Sequence, residues 1–233
     1  MNVIQFVTNR FWLKNNSDHI PTPARKKIPE WYSKADRFFR NEDGYEIDPD
    51  GYMYPTFKAC MPFMDSMISG YTLNTPCDIE FYIENEIPKV RIEEEYDFFV
   101  KSRPPMSDFH TPFGYYDHHF AWKPQWGVES PSGYNILYTT PFNGYDVPFL
   151  NTMGIINNDK TSHPGSIPFF LRKNFIGIIK AGTPFLQVIP IKRESWESDN
   201  KVLDPESIEH FKPGTPRIQD HYRNVLWERT RYE

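Results

Sequence analysis

The sequence predicts a single, mainly-β domain with a short N-terminal helix and helices near the C-terminus. Three observations carry this prediction: 22 prolines, a 17% aromatic content, and a continuous β pattern over residues 126–192 of the 233-residue chain. Proline interrupts helices, and aromatic side chains supply the large buried areas that a core needs. Many short strands joined by ordered loops therefore explain this composition better than long helices or disorder.

Residues 1–60 are predicted to form an N-terminal extension. Asn2–Thr8 has the pattern of an opening strand, and a polar connection follows it. Pro29 stands at the first position of a predicted amphipathic helix over 29–40, whose apolar residues fall near one face. Residues 41–54 are acidic and rich in turn formers, so the extension is expected to end in turns.

Residues 61–196 are predicted to form the β core. From Met61 onward the pattern is one of strands and turns. The first strands are expected at Ser69–Leu73, Cys77–Ile83 and Lys89–Ile92. Residues 101–125 are rich in Pro and His and are expected to form a loop region.

A β-hairpin is predicted around residues 181–184, which read Ala-Gly-Thr-Pro. This turn lies between Phe175–Ile179 and Phe185–Ile191, both rich in β-branched and aromatic residues. Pro184 removes a backbone donor at the start of its strand, where the loss is tolerated.

Residues 197–233 are predicted to form a helical tail. Asp204 is placed to cap one short helix, and Thr215 with Pro216 is placed to open another. The last helix is expected to pack an apolar face on the core or on a neighbouring subunit, through Ile218, Tyr222, Val225 and Leu226.

Charge and cysteine content limit the classes of binding partner and the cellular compartment that can be expected. The net charge is −5 and no long basic block occurs, which argues against a nucleic-acid groove but leaves small anionic ligands open. Cys60 and Cys77 fit a reducing compartment, although a disulfide between them stays open. Residues 1–13 lack the pattern of a secretory signal, and no stretch reaches 18 apolar residues. We therefore expect a cytoplasmic protein without a membrane partner.

Three short motifs occur in a characteristic order. Residues 133–134 (Gly-Tyr) open a strand, residues 154–159 read Gly-Ile-Ile-Asn-Asn-Asp, and Ile179, Gly182 and Gln187 frame the final hairpin. This order resembles the core of the dUTPase and dCTP-deaminase superfamily. The resemblance implies a β-clip fold, a distorted β-barrel, and a homo-oligomer such as the trimer in which dUTPases bind ligand between subunits.

Two further motifs extend the resemblance. Residues 70–73 (Gly-Tyr-Thr-Leu) resemble the run that opens the family fold, and Asn174 occupies a position where the family often has Asn. The whole chain is also similar to phage and bacterial proteins that share the 181–184 turn, a later Gln and Pro, and the Lys-Arg-Glu at 192–194. This similarity implies a phage-encoded protein located in the host cytoplasm.

The departures from the family pattern argue against dUTP hydrolysis. Asn157 stands where the family has the Asp that activates the catalytic water, and an amide cannot act as a general base near neutral pH. Lys160 replaces the Tyr that stacks on the deoxyribose, and Thr72 replaces an Asp. Residues 139–143 lack the Arg-Ser pair that holds phosphates.

The resemblance implies a ligand-binding site that lacks the residues needed for dUTP hydrolysis. The ligand-binding residues that it indicates are Asn157, Asp159, Lys160, Gly182 and Gln187. The sequence assigns no cofactor and no metal ligand. A polar turn at 157–159, where Asn and Asp favour local hydrogen bonds, is the alternative interpretation.

Several histidines form a second candidate site. His110, Asp117, His118 and His119 lie close together in sequence, as in some metal sites. Adjacent histidines on a strand point to opposite faces, so only one of the pair could act with His110. A loop of surface or partly buried histidines is the favoured interpretation of this segment. His163, beside Pro and Gly, is a further candidate ligand or phosphate contact.

Three classes of function remain open on these observations. The preferred one is a non-catalytic or degenerate nucleotide-binding protein of dUTPase-like fold. The alternatives are a phage structural protein that decorates or assembles capsids, and a metal-dependent enzyme with a His-rich site.

Overall fold

A computed structural model of the chain describes residues 2–10, 13, 19–105, 110–204 and 221–233. Antiparallel sheets dominate this part of the chain, which confirms the mainly-β prediction. The described sheets are open and are not closed into a barrel. Assignment to the β-clip stays a prediction.

Short strands make up most of the regular structure in the described residues. In chain order the strands are β1 (Gln5–Val7), β2 (Thr22–Pro23), β3 (Arg40–Asn41), β4 (Gly44–Tyr45), β5 (Tyr71–Asn74), β6 (Ile79–Glu84), β7 (Ile87–Ile92), β8 (Val100–Ser102), β9 (Tyr115–Trp122), β10 (Gly127–Glu129), β11 (Tyr134–Thr139), β12 (Phe149–Asn151), β13 (Gly154–Ile156), β14 (Ile167–Arg172), β15 (Gly177–Ile179) and β16 (Pro184–Lys192). The α-helices are α1 (Glu30–Lys34) and α2 (Met61–Ile68). Short 3-10 turns cover Ala24–Lys26, Phe57–Ala59 and Glu94–Tyr96, and a π-helical turn covers Tyr222–Leu226.

The chain divides into two compact units. The first comprises Met1–Glu30, Ser66–Arg193 and Arg231–Glu233, and the second comprises Trp31–Asp65 and Glu194–Thr230. The chain passes from the first unit into the second within α1 and returns within α2. No helix among the described residues is both long and apolar enough to cross a membrane.

The first unit is built from antiparallel sheets around an aromatic core. Its largest sheet has the strand order β13-β11-β16-β5-β2, a second has the order β12-β14-β9-β8, and a third has the order β15-β6-β7. In the core the Trp122 ring stacks on Phe169 with centroids 4.0 Å apart. The indole N–H of Trp122 is satisfied because it donates to Asn151 Oδ1 at 2.8 Å. Buried aromatic rings of this kind supply much of the stabilising area.

Gly70 fixes the turn between α2 and β5. Its φ angle is +68°, and a Cβ atom at this position would overlap the backbone carbonyl oxygen of Val188. Its own carbonyl accepts a hydrogen bond from the Ala24 N–H at 3.0 Å. Only glycine combines this backbone conformation with so close an approach.

The structure corrects two expectations about local structure in the first half of the chain. The predicted helix over 29–40 ends at Lys34, because the chain then pairs with residues 54–56: Phe39 N–H donates to Tyr54 O, and Thr56 N–H donates to Arg37 O. The strands and turns expected from Met61 begin instead with α2, whose second residue is a proline at a position that helices tolerate.

The expected loop at 101–125 is also wrong, because it contains β9. This eight-residue strand pairs with both β8 and β14. The polar residues 117–119 obscure its pattern in the sequence. Only its last three residues, Phe120–Trp122, are fully buried.

The hairpin predicted around 181–184 does not form, although its turn does. Thr183 N–H donates to Lys180 O at 3.2 Å, but β15 pairs with β6 whereas β16 pairs with β5 and β11. Asp78 accepts from the Ala181 N–H and from Lys180 Nζ, which holds the turn beside β6. The turn is therefore a corner between two sheets.

Only part of the tail lies in the described residues. Thr215, Pro216 and Ile218 lie outside them, as do the residues that follow Asp204 in the first predicted helix. Tyr222, Val225 and Leu226 lie in the π-helical turn and are exposed. Both cysteines are free thiols, with Cys60 exposed and Cys77 buried.

Candidate functional site

The ligand residues indicated by the sequence lie in two separate places. Asn157, Asp159 and Lys160 follow β13 and lie near the C-terminal end of β16, where Asp159 pairs with Arg193. Gln187 lies near the other end of that strand, and Gly182 lies in the turn before it. At about 3.3 Å per residue, Gln187 and Arg193 are roughly 20 Å apart. The structure therefore does not bring the five residues into one pocket.

Asp159 is held in an ion pair. Its Oδ2 lies 2.6 Å from Arg193 Nη2, its Oδ1 lies 3.2 Å from Arg193 Nη1, and the Gly133 N–H donates to Oδ2 at 3.0 Å. The Arg193 guanidinium, followed by the Gly133 N–H, lowers the pKa of Asp159 from 3.8 to about 2. The carboxylate thus joins the start of β11 to the end of β16.

Asn157 and Lys160 are exposed and form a local turn, in which the Lys160 N–H donates to Asn157 O at 2.9 Å. The buried amide is their neighbour Asn158, which is 2% exposed. Its Nδ2 donates to Val128 O and Thr161 O, and its Oδ1 accepts from the Tyr138 hydroxyl. Strand alternation could have identified Asn158, because it continues the face on which Ile156 packs against the core.

Gln187 is buried, and its amide is fully used by the protein. Its Nε2 donates to Ser66 O at 2.8 Å and to Ser69 O at 2.7 Å, while its Oε1 accepts from the Phe142 N–H at 2.8 Å. Gly182 is similarly engaged through its backbone: its N–H donates to Thr75 O, and its carbonyl accepts from Lys27 Nζ.

A polar pocket of about 700 Å³ lies elsewhere in the first unit. It is lined by Val7, Thr8, Asn9, Arg10, Phe98, Lys123, Pro124, Gln125, Gly127, Ser162, His163, Gly165 and Ser166. Two of these side chains, Arg10 and Lys123, are cations, and His163 adds an imidazole. None of the described lining residues is acidic. This composition suits an anionic ligand.

Three segments that are distant in sequence build this pocket together with Phe98. Pairing of β1 with β10 places the residues after Val7 beside the 123–127 segment. Residues 162–166 are anchored on β10, because the Val128 N–H donates to Ser162 O at 2.8 Å. The close packing depends on Gly127, since a Cβ there would lie 2.9 Å from Ser162 O and 3.0 Å from Val7 Cγ2.

The basic side chains that line the pocket are not neutralised by carboxylates of the described residues. The Arg10 guanidinium lies 3.9 Å above the Phe98 ring, which orders the side chain without neutralising its charge. Neither Arg10 nor Lys123 forms an ion pair with any described residue. The Nδ1 atom of His163 accepts from the Gly165 N–H at 2.8 Å, so in the neutral ring the proton lies on Nε2, which is then a donor.

Sequence reasoning identified His163 but missed Arg10 and Lys123. Both are isolated basic residues in irregular segments, and no spacing marks them in the sequence. Only the pairing of β1 with β10 brings them to one pocket.

The histidines of the second candidate site do not converge. His118 Nδ1 lies 3.1 Å from Asp117 Oδ1, the His119 ring packs 5.9 Å from the Phe170 ring, and His110 is exposed. Burial, with smaller effects of Arg103 and His118, lowers the pKa of His119. Among the residues that the structure describes, no three His, Cys, Asp or Glu side chains are grouped as metal ligands would be.

Comparison with known proteins adds no relative: no protein-family model matches this sequence, and neither curated proteins nor solved structures give a significant match.

Proposed function

We propose that this protein binds a small phosphorylated ligand, of the nucleotide class, without catalysing its hydrolysis. The observation that carries the proposal is the polar pocket, in which Arg10, Lys123 and His163 face one cavity with no carboxylate among the described lining residues. Charge-assisted hydrogen bonds from such groups are the usual means of holding phosphates. The nucleotide class comes from the resemblance to the dUTPase and dCTP-deaminase superfamily.

The absence of hydrolysis is part of the proposal. Asn157 stands at the position of the family's catalytic Asp, and its exposed amide cannot take a proton from water near neutral pH. Asp159 is engaged by Arg193, and its low pKa makes it a poor general base. The protein would then bind the ligand unchanged, and it would either sequester it or act as a sensor of it.

Binding is tested by thermal shift and calorimetry with dUTP, thymidine triphosphate, ATP and inorganic pyrophosphate. A ligand at 100 times its dissociation constant should add about 2.7 kcal/mol of apparent stability. Arg10→Gln and Lys123→Gln should each weaken binding by about tenfold or more, because each removes a charged donor. Product analysis of the nucleotide samples should show no hydrolysis.

Lys160→Gln is the matched control. Lys160 is exposed and lies outside the pocket, yet the sequence resemblance assigns it to the ligand. Unchanged affinity in this variant, with reduced affinity in the other two, supports the pocket. Reduced affinity in Lys160→Gln, with unchanged affinity in the other two variants, would place the ligand at the 157–160 turn instead. No shift with any phosphorylated compound would contradict the proposal and favour the structural alternative.

A further inference from the structure

The second unit contains a cavity of its own, with a volume of about 950 Å³. It is lined by Phe38, Phe39, Met53, Pro55, Thr56, Phe57, Ala59, Cys60, Met61, Pro62, His221, Tyr222 and Arg223. Its volume lies in the range of about 300–1,000 Å³ typical of small-molecule pockets. All of these residues belong to the second unit, so the cavity shares none of them with the polar pocket.

Most of the cavity wall is apolar, and the backbone around it is ordered by hydrogen bonds. Phe39 and Phe57 are 54% and 69% exposed, which is unusual for neighbouring large apolar side chains. The Phe57 ring stacks on Phe63 at 5.1 Å, and Thr56 Oγ1 caps the turn that carries Phe57 by accepting from the Lys58 N–H. The Phe57 ring is therefore held in place beside the cavity.

Two basic side chains line the cavity, and they are two residues apart in the chain. Arg223 and His221 are the only basic residues among its described lining residues, and none of those residues is acidic. Arg223 forms no ion pair within the described residues. Burial and the nearby Cys60 raise the pKa of Tyr32, and the positive charge of Arg223 opposes this rise.

We propose that this cavity binds a small amphipathic anion, a carboxylate carried on an unbranched acyl chain. The apolar wall would take the chain, and Arg223 would pair with the carboxylate, with His221 beside it. An apolar chain gains from burial in proportion to its area, and a guanidinium recognises a carboxylate through two parallel hydrogen bonds. Binding of this anion does not depend on nucleotide binding in the first unit.

Cys60 provides a direct readout of occupancy because it lines this cavity. The chain has two cysteines, of which Cys60 is exposed and Cys77 is buried, so alkylation by uncharged iodoacetamide reports on Cys60. Decanoate, below its micellar concentration, should slow this alkylation in a saturable manner. 1-Decanol, which has the same chain length but no charge, should protect at least about tenfold more weakly, as loss of a charged hydrogen bond implies.

Two variants complete the test on the full chain. Arg223→Gln should weaken protection by decanoate to the level seen with 1-decanol, while leaving protection by 1-decanol unchanged. Ala59→Trp, which fills the cavity, should abolish protection by both compounds, with far-UV circular dichroism as the check of folding. Unaltered alkylation in decanoate, or equal protection by decanoate in wild type and Arg223→Gln, would overturn the proposal. Either result leaves the nucleotide measurements unaffected, because those use other residues and another readout.

Discussion

Gln187 illustrates how a residue chosen as a ligand contact can serve the fold instead. We predict that Gln187→Met lowers the free energy of unfolding by about 3 kcal/mol, because it removes the hydrogen-bond partner of two partly buried carbonyls and one partly buried N–H. Urea denaturation measures the change. Gln125→Met is the control: Gln125 is less buried and donates one hydrogen bond, to Lys123 O, so its loss should cost less than about 1 kcal/mol. Equal costs at both positions would contradict this role of Gln187.

The ion pair between Asp159 and Arg193 should make the stability of the fold depend on pH in the acid range. The folded-state pKa of Asp159, about 2, lies below its ordinary value of 3.8, so the pair with Arg193 stabilises the fold above about pH 4. That contribution is lost as the pH falls from about 4 toward about 2, when the carboxylate takes up a proton.

Asp159→Asn should therefore be less stable than wild type at about pH 6, and the difference should shrink below about pH 4. Urea midpoints of both proteins across this range measure the effect, with Arg193→Gln as a second way of breaking the pair. A difference that stays constant down to about pH 2 would show that another group is responsible.

At the scale of elements, the 162–166 segment depends on the lack of a side chain at Gly127. Gly127→Ala should cost about 1–3 kcal/mol, because the new methyl group meets a backbone carbonyl and Val7. It should also weaken pyrophosphate binding, since the displaced segment carries His163. Gly154→Ala is the matched control within the same unit, because no atom lies within 4 Å of its added Cβ. Unfolding and calorimetric titration of both variants distinguish the two positions.

Local patterns predicted strand identity better than strand pairing. Residues 175–179 and 185–191 were expected to be strands, and both regions contain strands. The predicted pairing of these two strands with each other was wrong. β15 pairs instead with β6, and Asp78, just before β6, accepts a hydrogen bond from the turn after β15; both partners are remote in sequence from β15. Similarly, β9 was missed since polar residues interrupt its pattern, although its burial is decided by its neighbours β8 and β14.

At the scale of the whole molecule, the two thiols should differ sharply in reactivity. Burial, with smaller effects of Glu93 and Asp78, raises the pKa of Cys77 to about 12, whereas Cys60 is exposed to solvent. The thiolate is the reactive form, so only Cys60 should react in the native protein, and both thiols should react in denaturant. Mass spectrometry after alkylation counts them. Reaction of both thiols under native conditions would mean that the fold around Cys77 opens readily.

The candidate pocket could not be predicted from the sequence, because its residues are brought together only by the pairing of distant segments. Arg10, Lys123 and His163 belong to three segments, and they reach one cavity through the register of β1 against β10 and the hydrogen bond from Val128 N–H to Ser162 O. A polar turn at 157–159 was the alternative interpretation of the sequence, and the structure has a turn there. The sequence could not show that Asn158, between the two residues chosen as ligands, is the one that faces the core.

Gly70 has a consequence for how this sequence can vary. Any side chain would meet the carbonyl of Val188, and every residue except glycine would also be strained by the backbone angle. In a library containing all the common amino acids at this position, selected for soluble folded protein, only glycine should survive. Natural relatives should then keep this glycine even where their ligands differ, which would make it a marker of shared architecture.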